Sequence, residues 1–502
     1  MSVASATKAG NEPLDPQTIR IALVVVLGTI MAILDTTIVA VALRTLGTDF
    51  GVGVSSIQWV TTGYLLALAM VIPISGWAVH RLGPKTVWIS AVTLFILGSM
   101  ACGFAWSATS LICFRLLQGA GGGMIMPVGQ SLMATAAGPK QMGRVMGIFG
   151  VPTLLGPILG PVIGGLIIAN VSWRWIFFVN LPIGIIAVIL AARLLPRDHR
   201  DREHRFDAWG FAFLSPALAL LVYAMSEVGR EGGFHSPRTI WLTVIGLMLG
   251  LAFVWRSLRA PEPIVDLRLF KSRTFTVSTI SIFVTGITLY GVIFLLPLYY
   301  QIVRGQSAVV AGLMMAPQGI GAAIVMKRAG VIADERGPIS IVPLGMLLLA
   351  VGTFAYTMVS PTTNLWWLGI SLFVRGIGLG LGMMPVFAAS YRGLLPAQVP
   401  RASTTTNIVR QVGGSIGTAL YAVVLERAIQ SRFHGTTGSL SAIPSKISPD
   451  VANQLAASFS IAFWWAFATC VVAIVPTLFL PGPSKGLEDL AINNEGEVAE
   501  HG

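Results

Sequence analysis

Gly76-Trp77-Ala78-Val79-His80-Arg81-Leu82-Gly83-Pro84 returns 254 residues further on, from position 76 to position 330, as Gly330-Val331-Ile332-Ala333-Asp334-Glu335-Arg336-Gly337-Pro338. Glycine, an ionisable residue, glycine and proline recur at the same spacing. Each copy stands where one apolar run ends and the next begins. A second echo pairs Gly119-Ala120-Gly121 with Gly376-Ile377-Gly378, each beside an arginine and ahead of a Met-Pro step. A chain that carries the same elements twice, half its length apart, reads as two copies of one unit around a shared centre.

The residues around these echoes place the units in a bilayer. Charged residues make up 11% of the 502-residue chain and apolar residues 54%, against roughly 25% charged in an ordinary soluble domain. So few charges cannot clothe a soluble protein of this size, whereas hydrocarbon needs none. The 55 glycines suit close packing between transmembrane helices. A span needs about 20 mostly apolar residues. That ruler predicts fourteen helices, near 20–43, 56–79, 87–106, 109–135, 143–169, 173–195, 208–228, 238–258, 274–300, 308–332, 339–359, 364–391, 403–427 and 457–480. Gly, Pro or polar residues interrupt the fifth, ninth, tenth and thirteenth. The first apolar run is too long for a signal-peptide core and is read as a retained helix.

Charge orients the bundle. With the N-terminus inside, the loops after even-numbered helices carry nineteen Lys and Arg, from Arg81 and Lys85 to Arg392 and Arg401; the opposite loops carry eight, from Arg44 to Lys446. Positive charge collects on the cytoplasmic face, so both termini are expected in the cytoplasm of a cell (inner) membrane. The net charge of +12 is spread over short loops, which argues against nucleic acid as a partner. The expected organisation is a cytoplasmic tail at 1–19, a six-helix bundle at 20–195, a linker with inserted helices seven and eight at 196–272, a second six-helix bundle at 273–481 and a cytoplasmic tail at 482–502. The longest connection, 427–458, is read as a polar external linker.

Four motifs resemble a known group. Leu34-Asp35-Thr36-Thr37-Ile38-Val39-Ala40-Val41-Ala42-Leu43 looks like its first-helix motif, and Arg115-Leu116-Leu117-Gln118-Gly119-Ala120-Gly121-Gly122-Gly123 like its helix-four motif. Gly156-Pro157-Ile158-Leu159-Gly160-Pro161-Val162-Ile163-Gly164-Gly165 looks like its antiporter motif, and Trp173-Arg174-Trp175-Ile176-Phe177-Phe178-Val179-Asn180-Leu181-Pro182-Ile183-Gly184 like the start of its sixth helix. Over nearly its whole length the chain resembles the major facilitator superfamily, in its 14-helix drug:proton antiporter branch of the EmrB/QacA type. The resemblance implies an all-α integral membrane protein with the major facilitator fold: two six-helix bundles plus two inserted central helices. One position departs from the pattern. The family loop after helix two has an aspartate that latches the bundles; here His80 stands there, while the second copy keeps Asp334.

A carboxylate inside an apolar helix must pair, sit in a cavity or take a proton, so Asp35 is the expected proton site. Arg115 cannot give up its charge and acts only on a neighbour; the resemblance places it beside the helix-one acid. The substrate cavity is expected from Gln58, Trp59, Thr62, Tyr64, Gln118, Met124, Arg375 and Arg410. Gly156, Pro157, Gly160, Pro161, Gly164 and Gly165 are expected to make a tight, dry contact between the bundles. Gly76, His80, Arg81, Gly83, Lys85 and Asp334 form the expected cytoplasmic gate.

The function this implies is proton-coupled efflux of small lipophilic compounds such as drugs, dyes or biocides, with Asp35 leaning toward cations. The alternative is export or uptake of a specific metabolite, lipid or siderophore on the same fold. No phosphate-binding Gly-x4-Gly-Lys-Ser/Thr loop is present, which argues against direct ATP coupling. His80, His199, His204, His235, His434 and His501 are read as loop or tail residues, and Cys102, Cys113 and Cys470 show no metal spacing. No enzyme site, metal or cofactor is therefore expected. Protons, lipids and the transported compound are the expected partners of a monomer, with a periplasmic adaptor in a double-membrane bacterium.

Overall fold

The computed structural model describes residues 14–198, 205–231, 233, 236–433 and 448–482. Residues 1–13 and 483–502 of the expected tails, residues 434–447 of the expected external segment, Lys446 among them, and all the histidines but His80 lie outside the described residues.

Twelve helices are long and apolar enough to cross a membrane, and two bent pairs raise the number to fourteen among the described residues. In chain order they are α1 (Pro16–Asp49), α2 (Trp59–Val71 with Ile74–Leu82), α3 (Pro84–Gly103), α4 (Ala108–Gly138), α5 (Gln141–Pro157 with Leu159–Asn170), α6 (Trp175–Leu194) and α7 (Ala208–Val228). There follow α8 (Pro237–Arg259), α9 (Arg273–Val303), α10 (Ala308–Arg336), α11 (Pro338–Met358), α12 (Leu365–Ser390), α13 (Pro396–Gln430) and α14 (Pro449–Thr477). The bends have local causes. Pro73 lies at the 54° bend of α2, and the proline-rich stretch from Gly156 lies at the 43° bend of α5. Gly138, at φ 61° and ψ 179°, separates α4 from α5.

The outer surface is apolar. On α8, Trp241, Met248, Leu251 and Trp255 are each more than half exposed. Such a surface is stable only against hydrocarbon. His80 lies in the last turn of α2 and not in a loop, because the helix runs on to Leu82 before Gly83 turns the chain at φ 90°.

The repeat is visible as backbone packing. Gly119 of α4 lies against the Tyr64 carbonyl of α2; Gly376 of α12 lies against the Gln318 carbonyl of α10. A Cβ on Gly98 of α3 would stand 2.7 Å from the Gln118 backbone, and one on Gly352 of α11 would stand 2.6 Å from the Arg375 backbone. The same helices therefore touch at the same residues in both halves, and α2–α4 superpose in role on α10–α12. Helix α1 has its counterpart in α9: Gly156 and Gly160 meet Ile33 and Thr37, while Gly413 and Gly417 meet Phe283 and Ile287.

Between the halves, α7 and α8 pack on one another and dock on the seam. Leu214, Leu218 and Val222 of α7 share an apolar cluster with Ala69 and Ile72 of α2 and Ile408 of α13. Ser215 Oγ also donates to the Met70 carbonyl at 2.7 Å.

Candidate functional site

Helices α1, α4 and α6 bring four polar side chains together inside the first bundle. Asp35 and Arg115 are both 0% exposed, with Arg115 Nη1 2.5 Å from Asp35 Oδ2. The other carboxylate oxygen accepts from Gln118 Nε2 at 2.8 Å and from Asn180 Nδ2 at 3.0 Å. Arg115 also donates through Nε to the Val60 carbonyl at 3.1 Å and through Nη1 to Gln118 Oε1 at 2.8 Å. Its guanidinium lies 4.1 Å from the centre of the Tyr64 ring. Asn180 is held in turn by Ser99 Oγ at 3.0 Å.

Local sequence explains the convergence. Arg115 and Gln118 stand three residues apart on α4 and therefore share a face. Asn180 opens the long stretch of α6, where its amide points back into the bundle. A buried ion pair is best tolerated when its spare lone pairs and protons are satisfied; here both carboxylate oxygens are, while Arg115 Nη2 makes no hydrogen bond. The arrangement ties three helices, α1, α4 and α6, to one buried carboxylate.

The expected cavity residues separate. Tyr64 and Gln118 belong to the Asp35 cluster, not to an open wall. Gln58 precedes α2, and Trp59 stacks on Tyr223 of α7 at 5.3 Å. Thr62 is half-buried on α2, and Met124 packs at the edge of the main core. Arg375 lies in the second bundle, donating to Gln318 Oε1 at 2.5 Å and to Thr353 Oγ1 at 3.2 Å. Arg410 lines a cavity, together with Ile282, Thr285 and Leu289 of α9 and Met383 and Phe387 of α12. The two arginines of the helix-four echoes are not equivalents. By the packing of Gly98 and Gly352, Arg375 takes the place of Gln118, one helical turn from that of Arg115.

The antiporter stretch sits differently from its expected place between the bundles. Gly156, Gly160 and Gly164 lie on Ile33, Thr37 and Ile38 of α1 in the same bundle, and only Gly165 faces the other half, at Val309. Pro157 and Pro161 shape the bend and are partly buried. Small residues on one helical stripe let α5 approach α1 around the Asp35 turn.

At the gate, Asp334 Oδ1 and Oδ2 accept from the amides of Gly143 at 2.7 Å and Arg144 at 3.1 Å, so the second bundle caps α5 of the first. The symmetry-related contact puts Gly76 against Pro400 and Arg401 at the start of α13. Pro400 has no amide hydrogen to offer a carboxylate. Histidine at 80 thus faces a helix start with one donor fewer. Lys85 Nζ donates to the carbonyls of Ala192 and Leu195 at the end of α6, at 2.6 and 3.0 Å. Asp198 accepts from the Lys85 amide at 2.8 Å and the Thr86 amide at 2.9 Å, at the start of α3. Lys85 and Gly83 therefore serve the first bundle's own turn; Arg81 follows His80 in the last turn of α2.

A second polar link joins the bundles. Gln130 Oε1 of α4 accepts from Asn407 Nδ2 at 2.6 Å and from the Tyr391 hydroxyl at 3.3 Å. Ser403 Oγ donates to the Pro127 carbonyl at 2.7 Å. Gln130, Asn407 and Asn180 were not among the expected site residues; of the three, Asn180 is a lone amide in an apolar helix, a signal that was available.

Comparison with known proteins agrees with this architecture. Residues 25–418 match the family model of the Major Facilitator Superfamily. The chain belongs to that superfamily. As a major facilitator it is a multi-pass membrane protein and a secondary transporter. It is 38% identical to the multidrug resistance protein B homolog of Mycobacterium tuberculosis, over 95% of this chain and 92% of that one. Identity to the multidrug export protein EmrB of Escherichia coli is 33%, over 78% of this chain and 77% of the relative. Among solved structures, the Escherichia coli xylose transporter XylE in a partially occluded inward-open conformation shares the facilitator fold, with a TM-score of 0.58 at 14% identity over 94% of this chain and 99% of that one.

Proposed function

We propose that this facilitator exports small lipophilic compounds across the cytoplasmic membrane in exchange for protons, with both termini in the cytoplasm. The observation that carries the reading is the closed cluster of Asp35, Arg115, Gln118 and Asn180. Relatives named for multidrug resistance and export support the direction of transport.

The cycle follows from the geometry. A proton arriving from outside neutralises Asp35, and the ion pair that clamps α1 to α4 is lost. The bundles then rock about the central cavity, and the proton leaves toward the cytoplasm as the pair reforms. Breaking a buried pair takes about 3–5 kcal/mol. A proton moving down 100 mV releases about 2.3 kcal/mol, and one pH unit adds about 1.4 kcal/mol. One proton is therefore of the right size to operate this clamp.

The test is dye export from proteoliposomes under an imposed pH gradient. Asp35→Asn keeps the shape of the acid and removes its titration, so export should lose its dependence on the gradient while the protein still inserts. Unchanged gradient dependence would overturn the proton role. Equal drug accumulation in cells with and without the protein, gradient intact, would overturn export of that compound.

A further inference from the structure

The buried charges at the centre of the molecule do not balance. Asp35 stands against three buried guanidiniums: Arg115, Arg375 and Arg410. The other buried acids, Asp207 and Glu227, lie toward the two ends of α7, and Asp207 is paired with Arg256 at 3.2 Å. Asp35 is taken by Arg115. Arg375 and Arg410 contact only neutral groups, with no carboxylate within ion-pair distance among the described residues.

Of these two, Arg410 is placed to meet a ligand. It stands near the middle of α13, on the seam: its Nη2 reaches Met126 Sδ of the other bundle at 3.3 Å. The same nitrogen donates to Asn407 Oδ1 at 3.0 Å, and Nη1 donates to the Tyr290 hydroxyl at 3.3 Å. Its buried Nε makes no hydrogen bond. The wall beside it is apolar, apart from Thr285. A guanidinium keeps its charge in any environment, and an uncompensated charge at membrane depth marks a ligand path. The cavity is small as it stands, about 10 Å³; its apolar wall, with one fixed cation and one neutral hydroxyl, becomes a receptor for an amphiphilic anion once the bundles rock apart. A cation entering the same cavity would meet a like charge, and no carboxylate lines its wall.

We propose that Arg410 is the recognising charge of the transport cavity and that the cavity takes lipophilic organic monoanions, an acidic group on an aromatic or aliphatic body. This names the substrate class of the export reading and rests on it. Exchange of such an anion for an entering proton moves net charge inward and is electrogenic.

Tetraphenylborate and tetraphenylphosphonium have the same shape and opposite charge. Their binding to the full-length protein in nanodiscs, with empty discs subtracted and no gradient applied, tests the proposal. Borate should bind at least about tenfold more tightly than phosphonium, a difference of about 1.4 kcal/mol. Arg410→Gln should erase that preference, and Arg410→Lys should retain most of it. Thr285→Asp, which sets a carboxylate on the same wall, should also weaken borate and serves if Arg410→Gln does not fold. Phosphonium binding as tight as borate in the wild type, or a borate preference untouched by the variants, would overturn the proposal. Because equilibrium binding needs no proton coupling, intact borate selectivity in a protein that fails to export overturns the export reading alone.

Discussion

The two bundles share one packing frame and carry different chemistry in it. Around α4, Arg115 meets Asp35 and Gln118, and Asn180 donates to the same carboxylate. Around α12, Arg375 meets Gln318 and Thr353. The glycines that seat these helices correspond pair by pair, but the arginine has moved by one turn. The acid has vanished from its counterpart: in the register of α1 on α9, Asp35 corresponds to Thr285, which lines the cavity. Backbone approach therefore preserves the frame, while charge divides the labour. Among the described residues, the first bundle holds a fully buried carboxylate–guanidinium pair. The second holds fixed positive charge.

The largest effect expected on this contrast is at Asp35. Asp35→Asn should lower gradient-driven export by at least about 100-fold, because the step has no proton to carry. Arg375→Gln should keep the gradient dependence and lower the folded yield; loss of coupling there, measured in the same proteoliposomes, would break the contrast. Next comes Asn180→Leu, which removes one donor from the carboxylate. Hydrogen bonds to charged groups contribute about 1.5–3 kcal/mol, so export should fall by about tenfold or more with insertion intact. A smaller effect is expected at the gate. Asp334→Ala strips the cap from the amides of Gly143 and Arg144 and should weaken the closed contact by about 1–2 kcal/mol, read as faster modification of a cysteine introduced on the cytoplasmic side of the seam. Smallest is His80→Asp. Since Pro400 offers no amide, export and its pH profile should stay within about twofold of wild type; a large gain would show that a carboxylate at position 80 finds another donor.

Much of the frame was legible in the chain. The bends at Pro73 and in the proline-rich stretch from Gly156 could be read from residue type alone. The placement of Gln58, Trp59 and Thr62 could not. Gln58 directly precedes α2, and Trp59 and Thr62 share it with Tyr64, yet rotation of that helix turns Trp59 to Tyr223 of the inserted pair and Tyr64 to Arg115. The antiporter stretch misled for a similar reason. A stripe of small residues announces a close contact without saying which helix fills it, and here α1 does.

The amino-acid sequence by itself determined that this is a membrane protein of fourteen spans in two related halves. Hydrocarbon imposes span length and apolarity locally, and close approach demands glycine at the same places in each copy. Tertiary structure alone decided that Asp35 closes on Arg115, Gln118 and Asn180, that Asp334 caps the start of α5 across the seam, and that Gly76 lies against Pro400. Those facts depend on how far each helix is rotated and slid against its neighbours. Rotation and slide are settled by packing among residues far apart in the chain.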